Sequence, residues 1–263
     1  MSTVRIGVIG GTGLYSMLEN GQEVKVETPY GDPSDAITIG EYKGKEVAFL
    51  PRHGKSHQLP PHKINYQANI WALKSMGVKF IISPCAAGSL QKNIKPGDFV
   101  IADQFVDRTN SRADTFYDQA PVTHMPGADP FCTHLSKIAY DSFKGLNLPV
   151  HQGGTAVVIQ GPRFSTRAES KWFTQMGWDV INMTLYPEVI LARELEMSYV
   201  NIALITDYDT GFNGEYEPVN AADAVRVFHE NTAKLKDGVF KLIENIDITQ
   251  VTESHSALQT ARF

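Results

Sequence analysis

The sequence predicts an α/β fold: a three-layer α/β/α sandwich around a central mixed β-sheet. Two observations carry that reading. Short apolar runs with strand character recur at 4–9, 46–50, 78–83, 98–102, 155–160, 178–183 and 199–206. Segments of helical periodicity lie between several of them, and such alternation builds helices onto the faces of a sheet. With no internal repeat and no Pro/Gly/Ser-rich linker, the chain reads as one domain over 1–247. A polar tail, 248–263, is expected to be mobile.

The elements follow in order. Val4 to Ile9 form the first strand. After Asn65, a side chain suited to capping, residues 66–76 place Ile70, Leu73 and Met76 on one face, and Gly77 is the stop signal. Segment 104–130 is polar and rich in turn residues, and loops of that length are usually functional or disordered. Thr166 with Glu169 is a capping box opening a helix through Phe173. Pro187 suits a first helical position ahead of Val189, Ile190, Leu191 and Leu195. A last helix over about 220–245 has Val225, Phe228, Leu235, Val239 and Leu242 at core spacing.

Composition narrows the function. The chain has 263 residues, 42% hydrophobic and 20% charged, the profile of an ordinary globular protein. A net charge of −5 argues against a nucleic-acid or anionic-membrane partner. No apolar run approaches the roughly 20 residues of a membrane span. Cys85 and Cys132 are the only cysteines, compatible with reduced thiols, and a cytoplasmic location is expected.

The chemistry-bearing residues sit where strands end. Gly10-Gly11-Thr12-Gly13 follows the first strand, where glycine lets backbone amides approach an anion and Thr12 adds a hydroxyl. Glu27, after the next strand-like run, invites a dinucleotide reading, but G-x-G-x-x-G fails in every register, and a P-loop ending is absent. Pro51 to His57 offers Arg52, a planar fork of donors matched to phosphate, and His53 as a further donor. Zinc at His53, His57 and His62 needs a helix to align the pair four apart, and Pro51, Gly54, Pro60 and Pro61 oppose one; no metal is expected. Cys85-Ala86-Ala87-Gly88 supplies small residues where amides could meet a ligand, with Cys85 read as buried rather than nucleophilic. Phe164 could stack on a flat ring, Asn182-Met183 closes a strand, and Thr184 is a candidate helix cap whose helix terminus would favour an anion.

The last strand-like run ends in Thr206-Asp207-Tyr208-Asp209. If its tip stays extended, both acids point to one side. Two carboxylates so close raise the pKa of one of them, as a general acid near neutral pH requires.

Six stretches taken together resemble one family: Gly7 to Leu14, Pro51 to His62, Gly88 to Leu90, Gly161 to Ser170, Asn182 to Glu188, and Thr206 to Asp209. In that order, over about residues 4–245, they are similar to the methylthioadenosine/purine nucleoside phosphorylases, and most to their trimeric methylthioadenosine branch. The resemblance implies the nucleoside phosphorylase fold and attack of phosphate on C1′ of a purine nucleoside, with phosphate as co-substrate and no cofactor. It implies phosphate among Thr12, Arg52, His53, the Cys85-Ala86 backbone and Thr184. Met183 then packs under the ribose, Phe164, Ser165 and Asn182 help line the nucleoside site, Asp207 gives or shares a proton at purine N7, and Asp209 helps bind the base and keeps the Asp207 pKa high. His124 would reach a neighbouring subunit's 5′ pocket, with Val219, Ala221 and Val225 at the methylthio group. The implied assembly is a homotrimer, with pairing into a hexamer left open.

Relatives acting on 6-oxopurines often carry Asn at the catalytic position. Facing a buried carboxylate to a carbonyl oxygen costs on the order of 1–3 kcal/mol, so Asp207 favours 6-aminopurines. Three departures stand out: Cys85, where many members have Thr or Asn and where weaker phosphate binding is expected, and Asn213-Gly214 and Pro218 near the 5′ pocket. The competing readings are a 6-oxopurine or broad-range phosphorylase and a non-catalytic nucleotide-binding protein on the same scaffold.

Overall fold

Near-continuous burial along β1 (Ile6–Gly10) and β5 (Phe80–Ser89), with successive side chains divided between two apolar layers, is what a sheet covered on both faces requires. The computed structural model describes residues 4–11, Leu18 and 21–262. Its other strands are β2 (Gln22–Val24), β3 (Ile37–Tyr42), β4 (Lys45–Pro51), β6 (Phe99–Ala102), β7 (Gln104–Arg108), β8 (Val150–Gln152), β9 (Thr155–Ile159), β10 (Val180–Asn182) and β11 (Ser198–Asp207). The helices are α1 (Tyr66–Ser75), α2 (Thr133–Gly145), α3 (Arg167–Gln175), α4 (Leu185–Glu194) and α5 (Ala221–Asn245).

The 11 strands form one mixed sheet in the order β2-β3-β4-β1-β5-β10-β9-β7, with β11 branching from β5 and leading to β6 and β8. One face carries α1 and α4, whose Ile70, Leu73, Val189 and Leu191 pack with Ile9, Leu50 and Ile81. The other carries α2 and α5, whose Phe143, Leu235, Val239 and Leu242 pack with Ile6, Val8 and Phe80. The three-layer sandwich is therefore as expected.

Several local signals act as the sequence suggests. Asn65 caps α1 by accepting from the Ala68 N–H at 3.2 Å, and Gly77 turns the chain out of it at φ +95°. The Thr166–Glu169 capping box is closed in both directions. Four elements escaped the sequence reading. The short strands β3, β7 and β8 carry too little apolar sequence to stand out alone, whereas α2, which packs on α5, has a clear helical period in Leu135, Ala139 and Phe143 that follows directly on the polar segment 104–130. Segment 104–130 accordingly starts as a strand, β7, pairing parallel to β9.

Residues 249–262, expected as part of a mobile tail over 248–263, are seated on the body. Thr252 Oγ1 meets Ser198 Oγ at 2.7 Å, Glu253 accepts from the Thr133 N–H at 2.6 Å, and the His124 N–H donates to the Ala261 carbonyl at 2.7 Å. Polar composition marks exposure, but hydroxyl and backbone bonds of this kind leave no apolar trace in the sequence. Among the described residues no helix is long and apolar enough to cross a membrane.

Candidate active site

The sheet opens where β5 changes partners. β5 pairs with β1 over Phe80–Ile82 and with β10 at Gly88 and Ser89, while β11 runs beside it from Phe80 to Gly88. Over Ser83–Ala87 the described strand pairings give β5 only β11, and a crevice lies there, at the carboxyl ends of β1, β4 and β11. A cavity of about 650 Å³ fills it.

Arg52, His53, Cys85, Ala86 and Thr184 line one part of this cavity. Thr12 lies outside the described residues, while its neighbour Gly11 lines the wall. The Arg52 fork is not open to an anion as the sequence suggested. Its Nε and Nη2 donate to Glu188 Oε2 and Oε1 at 2.7 and 2.9 Å, Nη2 also reaches Ser83 Oγ and the Ile9 carbonyl, and Nη1 donates to the Pro84 carbonyl. Arg52 is 2% exposed, so its charge had to find a partner inside the protein.

His53 also differs from expectation. Its Nδ1 lies 2.8 Å from the Leu59 carbonyl, which can only accept, so Nδ1 carries the hydrogen. Burial, opposed in part by that hydrogen bond and aided by the Arg52 charge, lowers its pKa to about 4. The ring is then neutral at pH 7, and Nε2 is an acceptor, not a donor.

Thr184 precedes α4 without capping it: its side chain makes no cap bond, and Tyr186, at φ −103° and ψ 134°, interrupts the helix. The regular helix starts at Pro187, which has no N–H to offer an anion. Cys85 is buried, as expected. Its Sγ accepts from Asn201 Nδ2 at 3.3 Å and Asn182 Nδ2 at 3.7 Å, and burial pushes the thiol pKa up, so it is no nucleophile at neutral pH.

Asp207 and Asp209 line the same cavity. They meet through a turn, not through strand alternation: β11 ends at Asp207, Asp209 has φ +49°, and its N–H donates to Asp207 Oδ1 at 2.8 Å. Thr206 Oγ1 donates to the other oxygen, Oδ2, at 2.7 Å. Gly88 makes room for this carboxylate, because a Cβ there would sit 2.7 Å from Asp207 Oδ1. Burial is the first cause of the raised Asp207 pKa, countered by the Thr206 and Asp209 hydrogen bonds. Burial also leads at Asp209, pushing it to about 6; hydrogen bonding to Ser170 lowers it in part, and the Asp207 charge adds to the rise. The expectation that Asp209 keeps the Asp207 pKa high is thus corrected: desolvation leads at both acids, and Asp209 is the one that feels its neighbour's charge. Asp209 Oδ2 and Ser165 Oγ are buried without a hydrogen-bond partner.

Phe164, Ser165, Asn182 and Met183 complete the wall, with Phe164 39% exposed and its ring accessible. Of the expected 5′ residues, Val225 lines the cavity, whereas His124, Val219 and Ala221 lie outside the cavity of a single chain. Ala221 is the exposed first residue of α5, and the next turns of that helix supply Ala224, Phe228 and His229 instead.

Two groups were missed by the sequence reading. One is Glu188 with Ser83 and Tyr199, behind Arg52. The other is Arg112, whose Nη2 donates to the carbonyls of Gln160 and Met183, both at 2.9 Å, and whose Nη1 donates to that of Tyr186. Arg112 thereby ties the long loop to the strand ends under the cavity. Their only sequence signal is charge within an otherwise apolar or turn-rich stretch.

Residues 5–244 match the model of the phosphorylase superfamily. The chain is 50% identical to an S-methyl-5′-thioadenosine phosphorylase of Thermofilum pendens, over 99% of both chains. It is 47% identical to a purine nucleoside phosphorylase of Streptomyces coelicolor, over 90% of this chain and 88% of that one. The solved methylthioadenosine phosphorylase of Schistosoma mansoni, in complex with adenine, superposes with a TM-score of 0.92 at 37% identity, covering 98% of this chain and 99% of that one.

Proposed function

The chain belongs to the phosphorylase superfamily, and on that premise we propose that it cleaves purine nucleosides with inorganic phosphate. S-methyl-5′-thioadenosine, then adenosine, are the substrates, and free adenine with (methylthio)ribose 1-phosphate the products. One observation carries the reading: a single cavity joins a donor-lined end at Arg52 and Thr184 to a pair of buried acids at Asp207 and Asp209. An enzyme of this class needs both, one to hold the nucleophile and the other to meet the leaving base.

In this proposal a phosphate oxygen bonds to C1′ as the C1′–N9 bond breaks and its electron pair passes to the purine. Asp207 supplies the proton at N7, and Asp209 accepts from the 6-amino group. Arg52, the Ala86 backbone and Thr184 hold phosphate, together with Thr12. The neutral His53 accepts a hydrogen bond at Nε2 from a protonated phosphate oxygen. Fixing phosphate beside the sugar lowers the entropic part of the barrier. Phe164, Ser165, Asn182 and Met183 hold the nucleoside.

The same proposal assigns a homotrimer, or a hexamer of two trimers, with His124 of one subunit beside the 5′ group in the next and Val219 and Ala221 completing that pocket. A cytoplasmic location belongs with it. The native mass in solution tests the assembly, and a competent monomer would end it.

A second reading is a broad-range or 6-oxopurine phosphorylase, favoured by the name of the Streptomyces relative. A panel of methylthioadenosine, adenosine, methylthioinosine and inosine, with phosphate, separates the two. Fastest release of adenine from methylthioadenosine is expected. Comparable rates for the inosine pair would support the second reading, and no free base from any of them would leave a binding protein.

A further inference from the structure

We propose that Glu188 is a positioning residue for the anion end of the cavity: it holds Arg52 so that a single N–H, and not the guanidinium fork, faces the ligand. The inference rests on the phosphorylase reading for its ligand, inorganic phosphate.

The donors of Arg52 can be counted. Its Nε hydrogen goes to Glu188 Oε2, and the two Nη2 hydrogens are shared among Glu188 Oε1, Ser83 Oγ and the Ile9 carbonyl. One Nη1 hydrogen goes to the Pro84 carbonyl at 3.0 Å. A guanidinium has five N–H groups, so one Nη1 hydrogen remains for the cavity that Arg52 lines. Glu188 is itself fixed. Its Oε1 accepts from Ser83 Oγ at 2.6 Å and from the Tyr199 hydroxyl at 2.8 Å, and the residue is 0% exposed. Glu188 is not among the residues lining the cavity, so it acts through Arg52 and not on a ligand.

Charge and alignment make opposite predictions when Glu188 becomes Gln. If the carboxylate mattered only as a nearby negative charge, its loss would tighten anion binding. If it matters by aiming Arg52, the Gln amide would set its own N–H groups against those of the guanidinium, turn it, and weaken phosphate binding.

The test measures the KM values for phosphate and methylthioadenosine, and the rise in Tm on adding inorganic phosphate, in wild type, Glu188→Gln and Tyr199→Phe. Glu188→Gln is expected to raise the phosphate KM by about tenfold, the loss of one charge-assisted hydrogen bond. The nucleoside KM should stay within about twofold, since the bond is made to the anion alone. The phosphate-induced Tm shift should shrink in parallel. Tyr199→Phe, which removes one donor to Glu188 and keeps the ring, should move the phosphate KM the same way by a smaller factor. An unchanged or lowered phosphate KM in Glu188→Gln, or equal rises for both substrates, overturns the proposal. Should that variant fail to fold, an unchanged phosphate KM in Tyr199→Phe overturns it. A wild type that binds phosphate yet releases no purine would sink the phosphorylase reading, and the Tm shifts would still decide the role of Glu188.

Discussion

At one end of the cavity Arg52 and Glu188 are both buried and joined charge to charge, with Ser83, Tyr199 and two backbone carbonyls meeting the other donors and acceptors of the pair except one Nη1 hydrogen. At the other end Asp207 and Asp209 are also buried, but neither has an ion pair among the described residues, and one oxygen of Asp209 has no hydrogen-bond partner. The first arrangement locks two ionised states in place, because a buried pair cannot give up one charge without stranding the other. In the second no cation offsets the burial, so desolvation outweighs the hydrogen bonds and raises both carboxyl pKa values toward the range where a proton can be exchanged. Burial alone therefore does not say what a charged residue is for; the partners it is given or denied do.

The largest effect should come from breaking the locked pair. Arg52→Ala leaves Glu188 buried and uncompensated, with an expected loss of about 3–5 kcal/mol in stability besides a strongly raised phosphate KM. Chemical denaturation with and without phosphate would check it. A variant as stable as wild type would mean that the pair is not the fixed unit described here.

Asp209→Asn tests the opposite regime, and the sign of its pH dependence is specific. A carboxyl raised from 3.8 to about 6 contributes stability that is fully present below pH 3.8 and is lost as pH rises through 6. Relative to wild type, the variant should gain stability between pH 4 and 6 and keep that gain above, up to about 3 kcal/mol at 1.4 kcal/mol per pKa unit. His53, lowered to about 4, contributes stability lost as pH falls, but it is common to both proteins and cancels in the difference. A difference in Tm that does not vary across that window would contradict the unsupported acid.

Asp207→Asn should reduce turnover of adenine nucleosides by about 10²-fold, near 2.7 kcal/mol, while raising relative activity on inosine, since an amide can donate to a 6-oxo group. Full adenosine turnover in this variant would remove Asp207 from the proposed acid role.

The smallest change is expected at Cys85→Thr. The thiol is a weak hydrogen-bonding group, already engaged with Asn201 and Asn182. A hydroxyl there should lower the phosphate KM by a few-fold, within about 1 kcal/mol. An unaltered KM would show that the backbone, not the side chain at 85, meets the anion.

What the sequence determined by itself is what short stretches can encode. The Asn65 cap and the Thr166–Glu169 box depend on backbone donors within three residues of the capping side chain, and both close as read. The apolar runs marked the long strands, and the cavity at their ends gathers Arg52, His53, Cys85, Thr184, Asp207 and Asp209 from four separate stretches. The directions in which those groups would work were decided by the tertiary structure. Glu188 lies 136 positions from Arg52 and Tyr199 lies 116 from Ser83, so no local pattern could show that the guanidinium fork was already occupied. The Leu59 carbonyl fixes the His53 tautomer, a choice that residue type leaves open. The turn at Asp209 replaced the expected alternation because Asp207 offers its carboxylate to the Asp209 N–H, a bond available only once β11 has ended. Local propensities act over one turn or one pleat, whereas burial, pairing and protonation are set by groups that meet only when the chain has folded.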